Sequence, residues 1–289
     1  MISYWEQAPF STACGSLLKQ KTTTQLPFSI GGITRQGFDH IYYGISNQDA
    51  INIIIEDDLM IGVLCDGCTN NHQENLAGVS QNQVGANLLS QIVANLCYEN
   101  MIKRTQRKVN LNVFTKWLTR ETKQQLKTII KAVKVKDHQK LPFVCNTLLA
   151  TVTGFVIRKK EFFIFHCGDG IAQVNNKYFD LSFDSGRYLT SLANTKPTNS
   201  AHFKIISKGF TKDLNHLYIA SDGFQEGKML QHSGFLKILN KRSKTSGFND
   251  FVSDFHIDAM EDYLEQEDFL KPWPSDDASL LMLQRIKNK

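Results

Sequence analysis

The stretch LMIGVLC, at residues 59–65, runs directly into Asp66 and Gly67 and decides the fold. Its residues are apolar at consecutive positions instead of alternating between apolar and polar. A short run of this kind predicts a β-strand that is covered on both faces. Asp-Gly is a common turn signal, so the strand is expected to end there. The stretch therefore predicts a sheet sandwiched between other layers of the molecule.

Similar short runs recur along the chain, and Gly, Asp or Asn bounds each of them. They are residues 51–55, 148–157, 161–167, 216–220 and 278–283. Apolar residues at helical spacing predict helices over residues 80–103, 112–133 and 250–266. The order is strands, two long helices, further strands, a late helix and a last strand. This order indicates an α+β domain in which helices pack outside the sheets.

The domain organisation follows from length and polarity. A chain of 289 residues is long enough for one large domain with its own core. Residues 1–27 are polar and irregular, so we expect an N-terminal extension packed on a domain that spans residues 28–289. The charged stretch 134–140 predicts a loop. It is not taken as a domain boundary, because the candidate site described below draws on both sides of it.

Composition limits the partners and the compartment. The net charge of +5 is mildly basic, and the basic clusters at 103–108 and 241–244 are modest, which favours a solvated surface over a nucleic-acid site. Six cysteines in a chain of this length do not indicate a disulfide framework. No secretory leader opens the sequence, and no apolar run approaches the roughly 18 residues of a membrane span. We expect a cytoplasmic protein without a membrane partner.

Aspartates at strand ends are the main chemical signal. Asp66, Asp169 and Asp222 each follow a predicted strand and precede a glycine, while Asp49 and Asp276 precede strands. Each could be a turn residue when taken alone. Several carboxylates that converge, however, repel one another unless a cation lies among them. Oxygen ligands without histidine or thiolate select Mg²⁺ or Mn²⁺ over zinc.

Six segments contain or adjoin these aspartates and strands. They are SNQDA at 46–50, LCDGCTN at 64–70, NTLLATVTG at 146–154, FHCGDGIAQV at 165–174, YIASDGF at 218–224 and DDASLLML at 276–283. Taken together, they resemble the metal-dependent protein phosphatases of type 2C, in family order from about residue 29 to residue 285. The SNQDA segment, which follows His40 after a short spacer, resembles a bacterial subgroup more than the animal enzymes.

The resemblance implies a fold and a reaction. The implied fold is a four-layer αββα sandwich, with two antiparallel sheets face to face and helices outside. The implied reaction is hydrolysis of phosphoserine and phosphothreonine esters by a metal-bridged hydroxide, with two Mn²⁺ or Mg²⁺ ions and a weaker third. It implies a phosphorylated protein substrate and a cognate serine/threonine kinase, a role in signalling, and we expect a monomer.

The resemblance also implies roles for individual residues. Asp66 would bridge two cations, and the Gly67 carbonyl would bind one of them. The other implied ligands are Asp222 and Asp276 on the second cation, Asp49 through water, and Asp169, with Asp222, on a third cation. No side-chain nucleophile is implied, so the catalytic residues stay unassigned. His40 is a candidate for phosphate contact.

Three positions depart from the family pattern. Gln48 stands where relatives usually have Glu, Cys68 where many animal relatives have a general-acid His, and Gly44 where many relatives have a phosphate-binding Arg. Arg35, His40 or Arg187 could take the place of that arginine. These departures leave a second hypothesis open, in which the chain is a catalytically weak relative that serves as a binding or regulatory module.

Other motifs give weaker hypotheses. Cys65-x-x-Cys68 could indicate zinc or redox chemistry, but no second pair lies at metal-ligand spacing. Gly223-x₃-Gly227-Lys228 is one residue short of a phosphate-binding loop and lacks the following Ser or Thr. No Cys-x₅-Arg is present, which argues against a thiol phosphatase. His166 lies in an apolar strand, where a core role is the better interpretation.

Overall fold

The computed structural model describes residues 15–17, 25–68, 80–103, 109–182, 188–189, 201–223 and 276–286. The predicted helix at 250–266, Arg187, the basic cluster at 241–244 and residues 104–108 of the other basic cluster lie outside these described residues.

The predicted strands and the two predicted long helices follow one another in the expected order, and the structure adds further elements. The strands are β1 (Gly15–Leu17), β2 (Phe28–Arg35), β3 (Ala50–Glu56), β4 (Leu59–Gly67), β5 (Ala150–Arg158), β6 (Glu161–Cys167), β7 (Ile171–Val174), β8 (Lys177–Asp180), β9 (Lys204–Phe210), β10 (His216–Ala220) and β11 (Ala278–Arg285). The helices are α1 (Phe38–Tyr43), α2 (Asn82–Ile102), α3 (Leu111–Ala132) and α4 (Lys140–Thr147).

Two sheets form the centre of the molecule, and every strand pairing in them is antiparallel. One has the order β1-β2-β11-β10-β7-β8, and the other has the order β3-β4-β5-β6-β9. In the second sheet, Ala50 pairs with Cys65, Gly67 with Ala150, and Val152 with Cys167. The start of β3, the end of β4, the start of β5 and the end of β6 therefore lie at one edge.

Side chains of β4 alternate between two cores, because successive residues of a strand point to opposite faces. Met60 and Leu64 pack between the sheets, in a cluster that contains Leu281 of β11. Ile61 and Val63 belong to the core that α2 and α3 form on the outer face of the five-stranded sheet. Every residue of β4 is buried, as the unbroken apolar run predicts.

Gly62 marks a close approach of the two sheets. A Cβ atom at this position would lie 2.5 Å from Cδ2 of Leu281 and 2.5 Å from Cζ of Phe155. Only a glycine leaves room for both side chains. The antiparallel sheets packed face to face, and the α+β class, are confirmed. Of the predicted outer helices, α2 and α3 are present on the five-stranded sheet.

Several elements were not predicted from the sequence. The stretch 134–140, predicted as a loop, contains a 3₁₀ turn at Asp137–Gln139, and α4 begins at Lys140. Pro142 is compatible with α4 because it lies in the first turn, where a missing N–H breaks no helical bond. Strand β1 lies within the expected N-terminal extension and pairs with β2. None of the helices in the described chain combines the length and the apolar character needed to cross a bilayer.

Candidate metal centre

Acidic residues gather at one edge of the two sheets. Asp66 lies at the end of β4, Asp169 in the turn from β6 to β7, and Asp222 just beyond β10. Asp49 and Asp276 lie just before β3 and β11. Because neighbouring strands are antiparallel, the end of one lies beside the start of the next. All five carboxylates that the sequence singled out are therefore presented at the same edge.

Asp66, Asp169 and Asp222 form the tightest group. One carboxylate oxygen from each lies within 4.8 Å of the others. Asp66 is buried and follows Leu64 on the face of β4 that points into the space between the sheets. Asp169 lies between Gly168 and Gly170, whose φ angles are +110° and +118°. Glycine adopts such angles without strain, so these two glycines allow the sharp turn that presents Asp169.

The pKa of Asp66 shows how closely the acids approach. Burial is the largest cause of its raised pKa, followed by the negative charges of Asp49 and Asp222 and then of Asp276 and Asp169. Asp66 and its four acidic neighbours cannot all be ionised at the same time unless positive charge is added among them. Asp66 is therefore the electrostatic centre of the cluster.

Asp49 is a buried acid of this group. Burial and the charge of Asp277 raise its pKa to about 8, although the hydroxyls of Ser279 and Ser221 partly offset this. It is 6% exposed, and neither of its carboxylate oxygens accepts a well-formed hydrogen bond from any residue of the described chain. A buried carboxylate without such partners is costly unless a cation compensates it. The donor set, made of oxygen atoms, fits Mg²⁺ or Mn²⁺.

A second group consists of His40, Asp276 and Asp277, whose ligand atoms also lie within 4.8 Å of one another. Asp277 is 2% exposed and acts as a junction. Its Oδ1 accepts a hydrogen bond of 2.7 Å from the Gly37 backbone N–H, and its Oδ2 accepts one from the Gln48 backbone N–H. Asp277 thus fixes both α1 and the loop that carries Asp49. Its own N–H donates to Oδ1 of Asp276 at 2.8 Å.

His40 lies between these two aspartates. Its Nδ1 is 2.8 Å from Oδ2 of Asp277, and its Nε2 is 3.7 Å from Oδ1 of Asp276. Burial alone would lower the pKa of His40, but the hydrogen bond with Asp277 and the charges of Asp277, Asp276 and Asp49 raise it. The ring is 5% exposed. These contacts support the aspartates and leave little of the ring for a phosphate.

The three departures from the family pattern have clear locations. Gln48 is fully buried, and its Nε2 donates to the Ser80 carbonyl at 3.4 Å. Gly44 ends α1 with a φ of +66°, and a Cβ atom there would meet nothing within 4 Å. Cys68 lies just beyond β4 at half-burial, and its Sγ is 3.8 Å from the Asp66 carbonyl.

The environment of Cys68 favours the neutral thiol. Burial, followed by the charge of Asp66, raises its pKa, although a hydrogen bond with Tyr188 opposes the shift. Cys65 packs in the core that faces the helices. The two cysteines of the Cys65-x-x-Cys68 motif therefore have different surroundings, with one thiol in a core and the other beside the aspartates.

Sequence reasoning missed two residues that organise this edge, Asp277 and Asn82. Asp277 was noted only as a neighbour of Asp276, yet its partners lie 240 and 229 residues away along the chain. Asn82 was included only in a helix, yet its side chain binds the segments on either side of the site. No local pattern reveals contacts over such separations.

A family model described as protein phosphatase 2C matches residues 36–267. This span includes Asp49, Asp66, Asp169 and Asp222, whereas Asp276 lies beyond its end. No curated protein sequence gives a significant match to the chain.

Solved structures of low sequence identity share the fold. A bacterial serine phosphatase has a TM-score of 0.54 and 13% identity, over 91% of this chain and 99% of that one. The serine/threonine phosphatase Stp1 from Staphylococcus aureus has a TM-score of 0.52 and 13% identity, over 92% and 99%. The catalytic domain of the serine/threonine protein phosphatase PstP, in complex with two manganese ions, has a TM-score of 0.50 and 12% identity, over 89% and 97%.

Proposed function

The chain belongs to the protein phosphatase 2C family of metal-dependent serine/threonine phosphatases, and we propose that its reaction takes place at the aspartate-lined edge of the two sheets. One observation carries this proposal: oxygens of Asp66, Asp169 and Asp222 converge within 4.8 Å. These residues come from three separate places in the fold: the end of β4, the turn from β6 to β7 and the segment just beyond β10. A group of turn residues would have no reason to bring three carboxylates so close together.

Each acidic residue has a proposed place around the metals. Asp66 would serve two cations, the Gly67 carbonyl would hold one of them, and Asp222 and Asp276 would hold the other. Asp49 would act through water, and Asp169, with Asp222, would hold a weaker third cation. The cations, Mn²⁺ or Mg²⁺, would supply Lewis acidity toward water and neutralise charge on the phosphoryl oxygens. The position of Asp276 in the group of His40 and Asp277 is compatible with this assignment, because the charge of Asp276 also raises the pKa of Asp66.

The chain itself holds and orients these groups. Asp277 fixes the loop before Asp49 by accepting a hydrogen bond from the Gln48 N–H. Its neighbour Asp276 lies at the surface of the cluster, with a side chain that is 43% exposed. Asp66 is buried beneath, at the end of a strand covered on both faces. A ligand on a rigid strand holds its geometry better than one on a loop.

Cys68 does not act as a nucleophile in this proposal. Burial raises the pKa of its thiol, and a thiol is a poor nucleophile compared with a thiolate. We propose that the phosphoryl group is transferred directly to water, which breaks the P–O bond of the ester without a phosphorylated enzyme. The leaving serine or threonine oxygen takes up a proton, and inorganic phosphate is the second product.

The partners and the compartment also belong to the proposal. The substrate is a phosphorylated protein, and the phosphate on it must come from a serine/threonine kinase. We place the reaction in the cytoplasm, because the cysteines at 65, 68, 97, 145 and 167 are all free thiols. We place it in signalling, because a phosphatase of this kind would reverse the action of a kinase. We further propose a monomer that does not bind nucleic acid; gel filtration and a binding assay with DNA and RNA test these two points.

A second function is favoured by Gln48, Gly44 and Cys68. A chain that lacks the family's usual phosphate-binding arginine, general-acid histidine and glutamate at these positions would turn over slowly and could serve as a binding or regulatory module. The test is hydrolysis of an aryl phosphate by purified protein, with and without Mn²⁺ or Mg²⁺, alongside a thermal melt. Turnover that requires the cation and stops on chelation supports the enzyme. A melting shift with Mn²⁺ but no turnover supports the regulatory module, and activity that survives exhaustive chelation contradicts the metal mechanism.

A further inference from the structure

Asn82, the first residue of α2, has a side chain that is fully buried behind the Asp66-Gly67 segment. Its carboxamide contacts several separate parts of the chain. The contacts of Nδ2 are with the Cys68 carbonyl at 2.5 Å, the Cys145 carbonyl at 3.1 Å and the Ser80 hydroxyl at 3.0 Å, and Oδ1 accepts from the Leu149 N–H at 2.9 Å.

The orientation of this carboxamide is determined by its partners. The Cys68 and Cys145 carbonyls can only accept, so they face the amide nitrogen, which has two N–H donors. The Leu149 N–H can only donate, so it faces the amide oxygen. The opposite orientation would place an oxygen against two carbonyls. Each end of the side chain therefore has one possible role.

These bonds determine where the Gly67 carbonyl points. The Gly67 C=O and the Cys68 N–H belong to one planar trans peptide, in which they point in opposite directions. The Cys68 N–H donates to the Leu149 carbonyl at 3.2 Å, so the Gly67 oxygen points away from Leu149. Asn82 binds the same two residues through their other backbone groups, the Cys68 carbonyl and the Leu149 N–H, and so holds the peptides on either side of this bond.

The backbone on the other side of Gly67 is held by the loop before Asp49. The Gly67 N–H donates to the Gln48 carbonyl at 3.1 Å. A Cβ atom at position 67 would lie 2.7 Å from the Gln48 oxygen and 2.8 Å from the Asn82 oxygen. The segment is therefore enclosed between the loop that carries Asp49 and the start of α2.

We propose that Asn82 is a positioning residue for the metal centre, whose buried carboxamide fixes the Gly67 carbonyl in the direction in which it binds a cation. This inference rests on the proposed metal-dependent function. Asn82 does not touch the substrate or the cation. It acts through Cys68 and Leu149, as groups behind a metal ligand commonly do.

The test compares Asn82→Ala with Asn100→Ala. Asn100 is also buried and lies on the same helix, about 27 Å further along at 1.5 Å per residue. Titration calorimetry with Mn²⁺ measures metal affinity, and a melt without metal measures stability. Both variants are expected to melt lower. Only Asn82→Ala is expected to weaken Mn²⁺ binding, by about 10- to 100-fold, as for groups that hold metal ligands.

Asn82→Asp decides the matter if the alanine variant does not fold. It has nearly the shape of the wild type and keeps the acceptor for Leu149, but it presents an oxygen to the Cys68 and Cys145 carbonyls. Its added negative charge alone would strengthen cation binding. Positioning predicts the opposite sign, a weaker affinity for Mn²⁺ and a higher Mn²⁺ concentration for half-maximal aryl phosphatase activity.

The outcomes separate this inference from the proposed function. Wild-type binding of Mn²⁺ together with unchanged or tighter binding by both Asn82 variants would overturn the positioning role alone. Equal losses of affinity in Asn82→Ala and Asn100→Ala would overturn it too, since general destabilisation would then explain both. A wild type that binds no Mn²⁺ would remove the metal centre, and the inference with it.

Discussion

Nδ1 of His40 lies 2.8 Å from Oδ2 of Asp277, a contact that joins the first helix to the start of the last strand. The opposite ring nitrogen is 3.7 Å from Asp276. A histidine held in this way orients two carboxylates at once. Its position explains how residues far apart in sequence keep a fixed arrangement at the site.

We expect His40→Phe to weaken Mn²⁺ binding about tenfold, because Asp276 loses a group that orients it. His40→Asn should retain most of the affinity, since the amide nitrogen can take the place of Nδ1 beside Asp277. The KM for an aryl phosphate at saturating Mn²⁺ should be unchanged in both variants. A raised KM with unchanged Mn²⁺ affinity would show instead that His40 contacts the phosphate.

Asp222→Asn should abolish turnover while the stability of the metal-free protein is kept or increased. The substitution removes a proposed cation ligand and also relieves repulsion among Asp66, Asp169 and Asp222. Free Mn²⁺ at about 100-fold over its Kd stabilises the wild type by about 2.7 kcal/mol. Thermal melts should show this gain in the wild type and much less of it in the variant.

Asp213→Asn is the matched control for that experiment, because Asp213 is an exposed aspartate in a 3₁₀ turn. It should keep both the Mn²⁺ shift and the rate. If Asp222→Asn behaved in the same way, Asp222 would be a turn residue and the proposed site would lose a central ligand.

Gln48→Glu should tighten Mn²⁺ binding, because a further negative charge near the cluster favours a cation. It should also lower the stability of the metal-free protein, since the side chain is buried and loses its bond to the Ser80 carbonyl. Gln48→Leu removes the same hydrogen bond without adding charge. Calorimetry should therefore show tighter binding in the glutamate variant only, and equal affinities would contradict the role assigned to this charge.

Gly44→Arg should lower the KM for an aryl phosphate by roughly tenfold. One charge-assisted hydrogen bond from the arginine to the phosphate, of about 1.5 kcal/mol, is enough for a change of this size. The open space around Gly44 admits a side chain. The φ of +66° adds a cost of about 1–2 kcal/mol for a residue with a Cβ. Gly44→Asn is the control, because asparagine adopts a positive φ at a lower cost and has no charge. Its KM should stay at the wild-type value. An unchanged KM in the arginine variant would show that the phosphate binds elsewhere.

His216 should make the protein less stable in acid. Burial lowers its pKa, although a hydrogen bond with the Asn175 carbonyl opposes the shift. The folded protein therefore favours the neutral ring. This contribution is present above the unfolded pKa of about 6.5 and is lost as the pH falls through the lower folded value.

Chemical denaturation from pH 7.5 to pH 5 measures this effect. His216→Gln, which does not titrate, should show a flatter decline than the wild type. A wild-type slope in His216→Gln would exclude this ring as the cause.

The strands that carry Asp66, Asp169 and Asp222 could be predicted because their signal is local. The bounds of β6 and β10 agree with the sequence prediction, and the unbroken apolar run of β4 is buried throughout. Strand β2 was missed because Gly32 interrupts its pattern. That glycine is explained only by the side chains of Leu281 and Ile51, which would lie 3.1–3.3 Å from a Cβ atom there.

Contacts between distant segments could not be predicted. The sequence showed that aspartates stand at strand ends, but it did not show that Asp276 groups with His40 and Asp277 while Asp66 groups with Asp169 and Asp222. Such groupings depend on which strands pair and on how the two sheets pack. Neither is encoded in any short stretch of the chain.

The glycine at position 62 has a consequence for the spacing of the aspartates. Asp66 belongs to one sheet and Asp222 and Asp276 to the other, so the thickness of the layer between the sheets sets how far apart they stand. That thickness is limited where Leu281 and Phe155 occupy the place of a missing methyl group. Position 62 lies about 13 Å along the strand from Asp66, at 3.3 Å per residue. A single added carbon there would push the two sheets apart and increase the distance between the aspartates that a small cation has to join.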